Sequence, residues 1–189
     1  MYNAGKLIYA ATDLLKLTIM EQNYIFKEQQ RFRQWWLWLI ILGINGLLIY
    51  GFVQQVIVGK PFGEQPMSDT GITLSAVLSL ALTLFSLSIR LETRITRDGI
   101  AVRFFPLHFK YKEYAWGTFS KSYVRKYAPL SEYGGWGLRL GMSGQGKAYN
   151  VSGNKGLQLE FTNQKKLLIG TRKPEELSVV LNKIGQLKT

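Results

Sequence analysis

The stretch WWLWLIILGINGLLIYGFVQQVIV, residues 35–58, carries no charged side chain, and neither does GITLSAVLSLALTLFSLSI, residues 71–89. A hydrocarbon core of about 30 Å needs about 20 helical residues to cross it, and each run has that length. Between them, GKPFGEQPMSDT (residues 59–70) holds two prolines, two glycines and charges of both signs, which is the composition of a short turn in water. A buried helix pair in a soluble core is the competing reading, but a chain of 189 residues has little other protein to bury it. The expectation is a transmembrane hairpin, 35–89, with its loop outside.

The flanks orient it. Lys27, Arg31 and Arg33 precede the first run, Arg90, Arg94 and Arg97 follow the second, and the loop offers only Lys60 beside Glu64 and Asp69. Basic flanks stay on the cytoplasmic side, so both termini are expected inside, with these six bases at the membrane interface. Trp35, Trp36 and Trp38 crowd one end of the first run, where indoles favour the headgroup level. Arg90 can snorkel toward the same level. Gly71, Ser75, Ser79 and Thr83 recur every four residues along one face of the second helix, a register that lets helices approach closely. The first helix offers Gly43, Gly46 and Gly51. Its Asn45 needs a partner, and antiparallel geometry puts Ser79 or Thr83 at that depth. Neither run holds an ionisable side chain, so these polar atoms read as packing contacts and not as an ion path.

Seventeen Lys and Arg against six Asp and Glu follow Glu92, so eleven of the twelve net positive charges lie there. Anionic lipid attracts such a domain, at about 1 kcal/mol per base near the surface. Nucleic acid is not expected as a partner, since no recognition helix, zinc-finger spacing or RNA-binding aromatic motif occurs. The chain has no cysteine, which removes disulfides and thiolate metal sites and suits a reducing compartment.

Upstream of the hairpin the reading divides. Residues 1–19 form either a weak amphipathic helix on the membrane or an upstream extension of little consequence, and the second is preferred; Asp13 spoils a signal peptide. Residues 21–34 mix Ile25, Phe26 and Phe32 with bases, which fits an interfacial lead-in or a plain extension of the first helix. The division is therefore 1–34, 35–89 and 90–189.

From Arg90 the period changes to two, with Leu91, Thr93 and Ile95 on one side, followed by an Asp98-Gly99 turn and by Ile100, Val102 and Phe104. Further strands are expected over 108–116, 121–127, 136–140, 147–151, 156–162 and 165–171, separated by Gly, Pro, Ser and Asn as in an antiparallel meander. A helix closes the chain. Pro174, Glu175 and Glu176 suit its first turn, and Leu177, Val180, Leu181, Ile184 and Leu187 make its apolar stripe.

Seven or eight strands and then one helix is an order similar to the pleckstrin-homology (PH) superfold, an antiparallel barrel capped by a C-terminal helix. Through RFRQ (31–34), YGGWGLR (133–139), AYNVSGNKG (148–156) and IGTRKPEEL (169–177), the chain resembles uncharacterised bacterial two-span membrane proteins with a C-terminal PH-like domain. That resemblance implies fold and an inner-membrane location, not a reaction. The inositide cluster of eukaryotic relatives does not carry over, because the loop Thr96-Arg97-Asp98-Gly99 is too short to wrap a headgroup.

Candidate sites are few. GMSGQGKA (141–148) nearly matches a phosphate-binding loop but lacks a hydroxyl after Lys147, and a strand is expected to follow. His108 has no cysteine or paired carboxylate near it in sequence, and the acids are scattered, so no enzyme, metal or cofactor is expected. The best interaction surface is Gly134, Gly135, Trp136, Gly137 and Arg139 with Tyr149 and Asn150; the competing reading has Trp136 plugging the barrel and the glycines serving turns. The expected function is a non-catalytic interaction or assembly module of a bacterial inner membrane. Its partners are anionic inner-leaflet lipid and either another protein or a second copy. The alternative is a lipid-binding or envelope-stress-sensing protein.

Overall fold

Residues 24–32, 34–141 and 144–188 are described by the computed structural model. The readings for residues 1–19, for Arg33 and for the tip of the glycine loop at 142–143 lie outside them. The described residues form two compact units. One is Arg31–Arg90; the other joins the segment ending at Gln30 to everything from Leu91 onward.

In the first unit, helix α1 (Trp35–Phe52) runs into a π-helical turn (Val53–Ile57), and helix α2 (Asp69–Ser88) follows. At 23 and 20 residues, both stretches are long and apolar enough to cross a membrane. Ser68 caps α2, its Oγ accepting from the Gly71 N–H at 3.1 Å. Gln55 Nε2 donates to the Met67 carbonyl (2.6 Å) and to Asp69 Oδ1 (2.8 Å), closing the connection. The helices meet along one seam. Asn45, Gly51, Ile72 and Ala76 are its buried residues, with Ser75, Ser79 and Thr83 half-buried beside them. Three of the expected α2 residues thus flank the buried pair Ile72 and Ala76, while a Cβ at Gly71 would meet Ser68 and Met67 of the connection. Of the three α1 glycines only Gly51 belongs to the seam. Around Gly43 and Gly46 a side chain would meet open space, whereas at Gly51 a Cβ would lie 2.7 Å from the Phe62 ring.

The second unit holds nine strands among the described residues: β1 (Phe26–Arg31), β2 (Arg90–Ile95), β3 (Gly99–Phe105), β4 (Lys112–Ala115), β5 (Phe119–Lys126), β6 (Gly137–Leu140), β7 (Lys147–Asn150), β8 (Lys155–Phe161) and β9 (Lys166–Gly170). They form two sheets, ordered β1-β2-β3-β4 and β5-β8-β9-β7-β6. The short helix α3 (Pro129–Tyr133) joins β5 to β6, and helix α4 (Pro174–Lys183) follows β9 and lies against β5 and β8. Leu91, Ile95, Ile100, Val102 and Phe104 point inward from the first sheet, and Leu157, Leu159, Leu168 and Ile169 are buried in the second. At one side Tyr114 of β4 meets the rings of Phe119 and Phe161. At the other, β1 is bonded to the end of β9. Two open sheets joined in this way make a barrel-like sandwich.

Four expectations need correction. The segment 26–31 is not an interfacial lead-in but an edge strand, in which Phe26, Glu28 and Gln30 face in while Lys27, Gln29 and Arg31 face out. Its inner face is polar because partners from the β9–α4 junction meet it. Gln30 Nε2 donates to the Gly170 carbonyl (2.6 Å), and the Glu28 carboxylate accepts from Thr171 Oγ1 (2.6 Å) and the Arg172 N–H (2.8 Å). The apolar hairpin thus interrupts one sheet between neighbouring strands, and the N-terminal boundary moves accordingly. Second, the second sheet is mixed and not a meander. β9 folds back between β8 and β7 and runs parallel to β7; the ninth strand is β1, which the sequence did not mark. Gly170 permits that insertion, since a Cβ there would lie 3.2 Å from Asn150 Cα. Third, strand 108–116 shrinks to 112–115, because the Phe109 carbonyl is taken by Arg103 Nη1 (3.4 Å) and the His108 N–H by the Phe104 carbonyl (2.8 Å). Finally, α4 stops at Lys183. Gly185 takes φ +67° after it, and Leu187 belongs to a tail whose Lys188 bridges to Ser122 on β5.

Candidate functional site

The glycine block around residue 135 is built from α3. Pro129 opens that helix, and Glu132 folds back so that its Oε1 accepts from the Ala128 N–H at 2.7 Å. Arg125 of β5 clamps the same carboxylate at 2.7 Å and holds Glu132 below its ordinary range, against a smaller opposing effect of burial. Gly134 ends the helix at φ +68°, and Gly135 and Gly137 continue at +121° and +124°, values that L side chains avoid. Asn150 then fixes the turn to β7. Its Oδ1 accepts from the Gly137 N–H (2.9 Å), and its Nδ2 donates to the Tyr127 hydroxyl (3.0 Å). Burial first, against the Asn150 bond, pushes the Tyr127 phenol up to about 12.

Three of the seven residues of the expected surface are covered: Asn150 is fully buried, Tyr149 almost so, and Gly135 is buried in the turn. Trp136 is half-buried and is not a plug: its Nε1 donates to the Gly153 carbonyl at 2.9 Å. Arg139 remains exposed, its Nε donating to the Trp136 carbonyl.

A different surface gathers around Tyr149. The His108 ring lies 5.6 Å from the Tyr149 ring, edge-on, and Lys112 Nζ donates to the Tyr149 hydroxyl at 3.2 Å. Burial, then Lys112 and Lys147, press the His108 imidazole below its usual value. Leu138 is paired with Tyr149 and Leu140 with Lys147, so both leucines share the face that meets His108. The loop 106–111 presents Phe109 at 75% exposure and Leu107 at 52%, and Leu140 on β6 is at 74%. Lys110, Lys112 and Lys147 are exposed among them. The Phe109 backbone is nevertheless held, because Arg103, which binds its carbonyl, is itself locked to Glu92 at 2.6 Å. Periodicity missed this surface, since residues 108–116 read as a strand.

The expected interfacial bases divide. Arg94 bonds the Tyr24 hydroxyl at 3.1 Å and lies over the rings of Tyr24 and Tyr111, so it is committed to the sheet. Burial opposes its charge, but Tyr24, Tyr111 and Glu92 hold its pKa above the ordinary value. Tyr111 donates to the Glu92 carboxylate, and burial first, then that bond, push its phenol up to about 12. Arg97 is exposed in the turn, and Lys27 and Arg31 lie on the outer face of β1. In the hairpin, Asn45 Nδ2 donates to Thr83 Oγ1 at 2.9 Å, which is the cross-helix partner its depth called for.

Lys147 opens strand β7, so no helix N-terminus follows it as a phosphate-binding loop requires. No cluster of three His, Asp or Glu side chains that would hold a metal occurs among the described residues. No protein-family model and no curated protein matches the chain.

Proposed function

We propose that the chain is a bacterial inner-membrane protein whose PH-like module serves as a non-catalytic interaction or assembly platform on the cytoplasmic face. The observation that carries this reading is the place of the apolar hairpin within the fold. It leaves the sheet at Arg31 and returns at Arg90, between strands that are neighbours. A module tied by two chain crossings has less rotational freedom than one on a single tether, which suits presenting a fixed surface and cuts the ordering cost of binding. The two sheets and closing helix support the PH-like reading, while the parallel β7–β9 pair departs from its antiparallel barrel. Basic flanks at both ends of the hairpin support the orientation with both termini inside.

Crosslinking in intact membranes followed by mass spectrometry tests the platform role; one stoichiometric partner, or a second copy, is expected. Orientation is tested on the cysteine-free chain. A cysteine at Glu64 should react with an impermeant reagent from outside and one at Val179 should not; the reverse pattern inverts the topology.

A further inference from the structure

We propose that the loop 106–111 and strand β6 form a second, peripheral membrane contact: Leu107, Phe109, Leu138 and Leu140 dip into the headgroup boundary of an anionic bilayer while Lys110 and Lys147 bind its charge. The proposal rests on the reading that the apolar hairpin spans a membrane.

Three observations converge on it. The first is composition: large apolar side chains at 40–75% exposure stand among lysines, the pairing that interfacial segments use. The second is rigidity, since the Arg103–Glu92 pair holds the loop carbonyl and no chain ordering is needed to present Phe109. The third is the direction of the chain. β2 starts where β1 ends, turns at Thr96–Gly99 and returns as β3, so a short turn makes the pair antiparallel and loop 106–111 lies at the end of the sheet where β2 began. Ile89 alone joins Ser88 of α2 to Arg90 of β2, so the chain enters this end of the sheet one residue after the apolar helix. A protein partner fits the lysines less well, because charge is depleted from the cores of such interfaces. An anionic leaflet supplies the complementary charge along the whole patch.

The test uses the full chain in vesicles, with single cysteines carrying a spin label. Phe109→Cys should be harmless, given its exposure, and Leu140→Cys gives an independent second probe. In vesicles containing phosphatidylglycerol, both labels should collide with oxygen in preference to a water-soluble nickel chelate, while a label at Val179 stays open to nickel. In pure phosphatidylcholine that preference should fall. Lys110→Glu with Lys147→Glu should return both labels to water, each charge removed lowering the partition by about fivefold. Equal nickel access at 109, 140 and 179 in every vesicle overturns the proposal. Exclusion of both probes regardless of lipid charge also overturns it and assigns the patch to a protein. A label at Leu82 separates the two readings. If nickel reaches it, the spanning hairpin fails and the proposal falls with it; if oxygen alone reaches it, a negative result at 109 and 140 counts against the patch only.

Discussion

Asn45 and Asn150 are the same side chain buried to a similar degree in two units, and they do different work. Asn150 is 0% exposed and uses both ends of its amide, taking the Gly137 N–H and giving to Tyr127. Asn45 is 7% exposed and gives to Thr83 and to its own helix at the Ile41 carbonyl, while its Oδ1 is buried without a partner. In the sheets, the amide satisfies groups that no ladder bond reaches, so its loss strands them. Asn45 lies inside an α-helix, where the backbone groups are bonded along the helix, so the amide adds one cross-helix contact to packing that exists without it. A buried polar group is therefore structural where the backbone depends on it, and only auxiliary where it does not.

The largest effect should follow Asn150→Ala. It leaves the Gly137 N–H and the Tyr127 hydroxyl without their partner, at about 1–3 kcal/mol each, so a loss of about 2–6 kcal/mol is expected. Thermal unfolding of the full chain followed by aromatic circular dichroism measures it. A cost no greater than that of Asn45→Ala would break the contrast.

Next comes Ser79→Leu, which forces three extra carbons into the helix seam and should cost about 1–3 kcal/mol in hairpin stability. Leu78→Ala, on an exposed position beside it, should cost much less. Equal losses of detergent resistance would mean that the seam is not formed by this face. Asn45→Ala should lie lower, at about 0.6 kcal/mol, the average for such bonds between membrane helices. A loss several times larger would show that the unpaired Oδ1 finds a donor in the working protein.

The same contrast explains what the residues alone made legible. Hydropathy marks the hairpin because nearly all of its exposed helix positions are apolar, and the Thr83 partner of Asn45 followed from spacing and depth. The strands from Arg90 onward were marked by alternation, as far as a half-buried sheet alternates. β1 was hidden because its inward positions are Glu28 and Gln30, polar side chains whose partners lie 140 or more residues away, at Gly170 to Arg172. Local pattern cannot report a contact of that separation. Nor could it separate Phe109, held outward by Arg103, from Phe104, which is buried five residues earlier. The Asp98-Gly99 signal gave the right turn for a different reason: Gly99 needs no left-handed φ, but a Cβ there would lie 2.3 Å from the Tyr114 carbonyl oxygen.

The smallest expected effect is a two-stage acid dependence within the sheet unit. Burial, Lys112 and Lys147 depress His108 from its ordinary 6.5. A base whose folded pKa is lowered favours folding while neutral, so its contribution is full above 6.5 and declines as pH falls below that value. Glu132 is depressed from its ordinary 4.5, chiefly by Arg125. Its contribution is also full above the ordinary value and is lost only as pH falls through the folded one. Stability should therefore decline first below 6.5 and again below 4.5. Both groups are partly open to water, so each step should be shallow. His108→Asn should remove the upper step and leave the lower, and Glu132→Gln should do the opposite. Denaturant midpoints measured at intervals of half a pH unit would resolve the two. If both steps survive His108→Asn, the upper one belongs to another group, and the closeness of the two lysines to His108 has no energetic consequence.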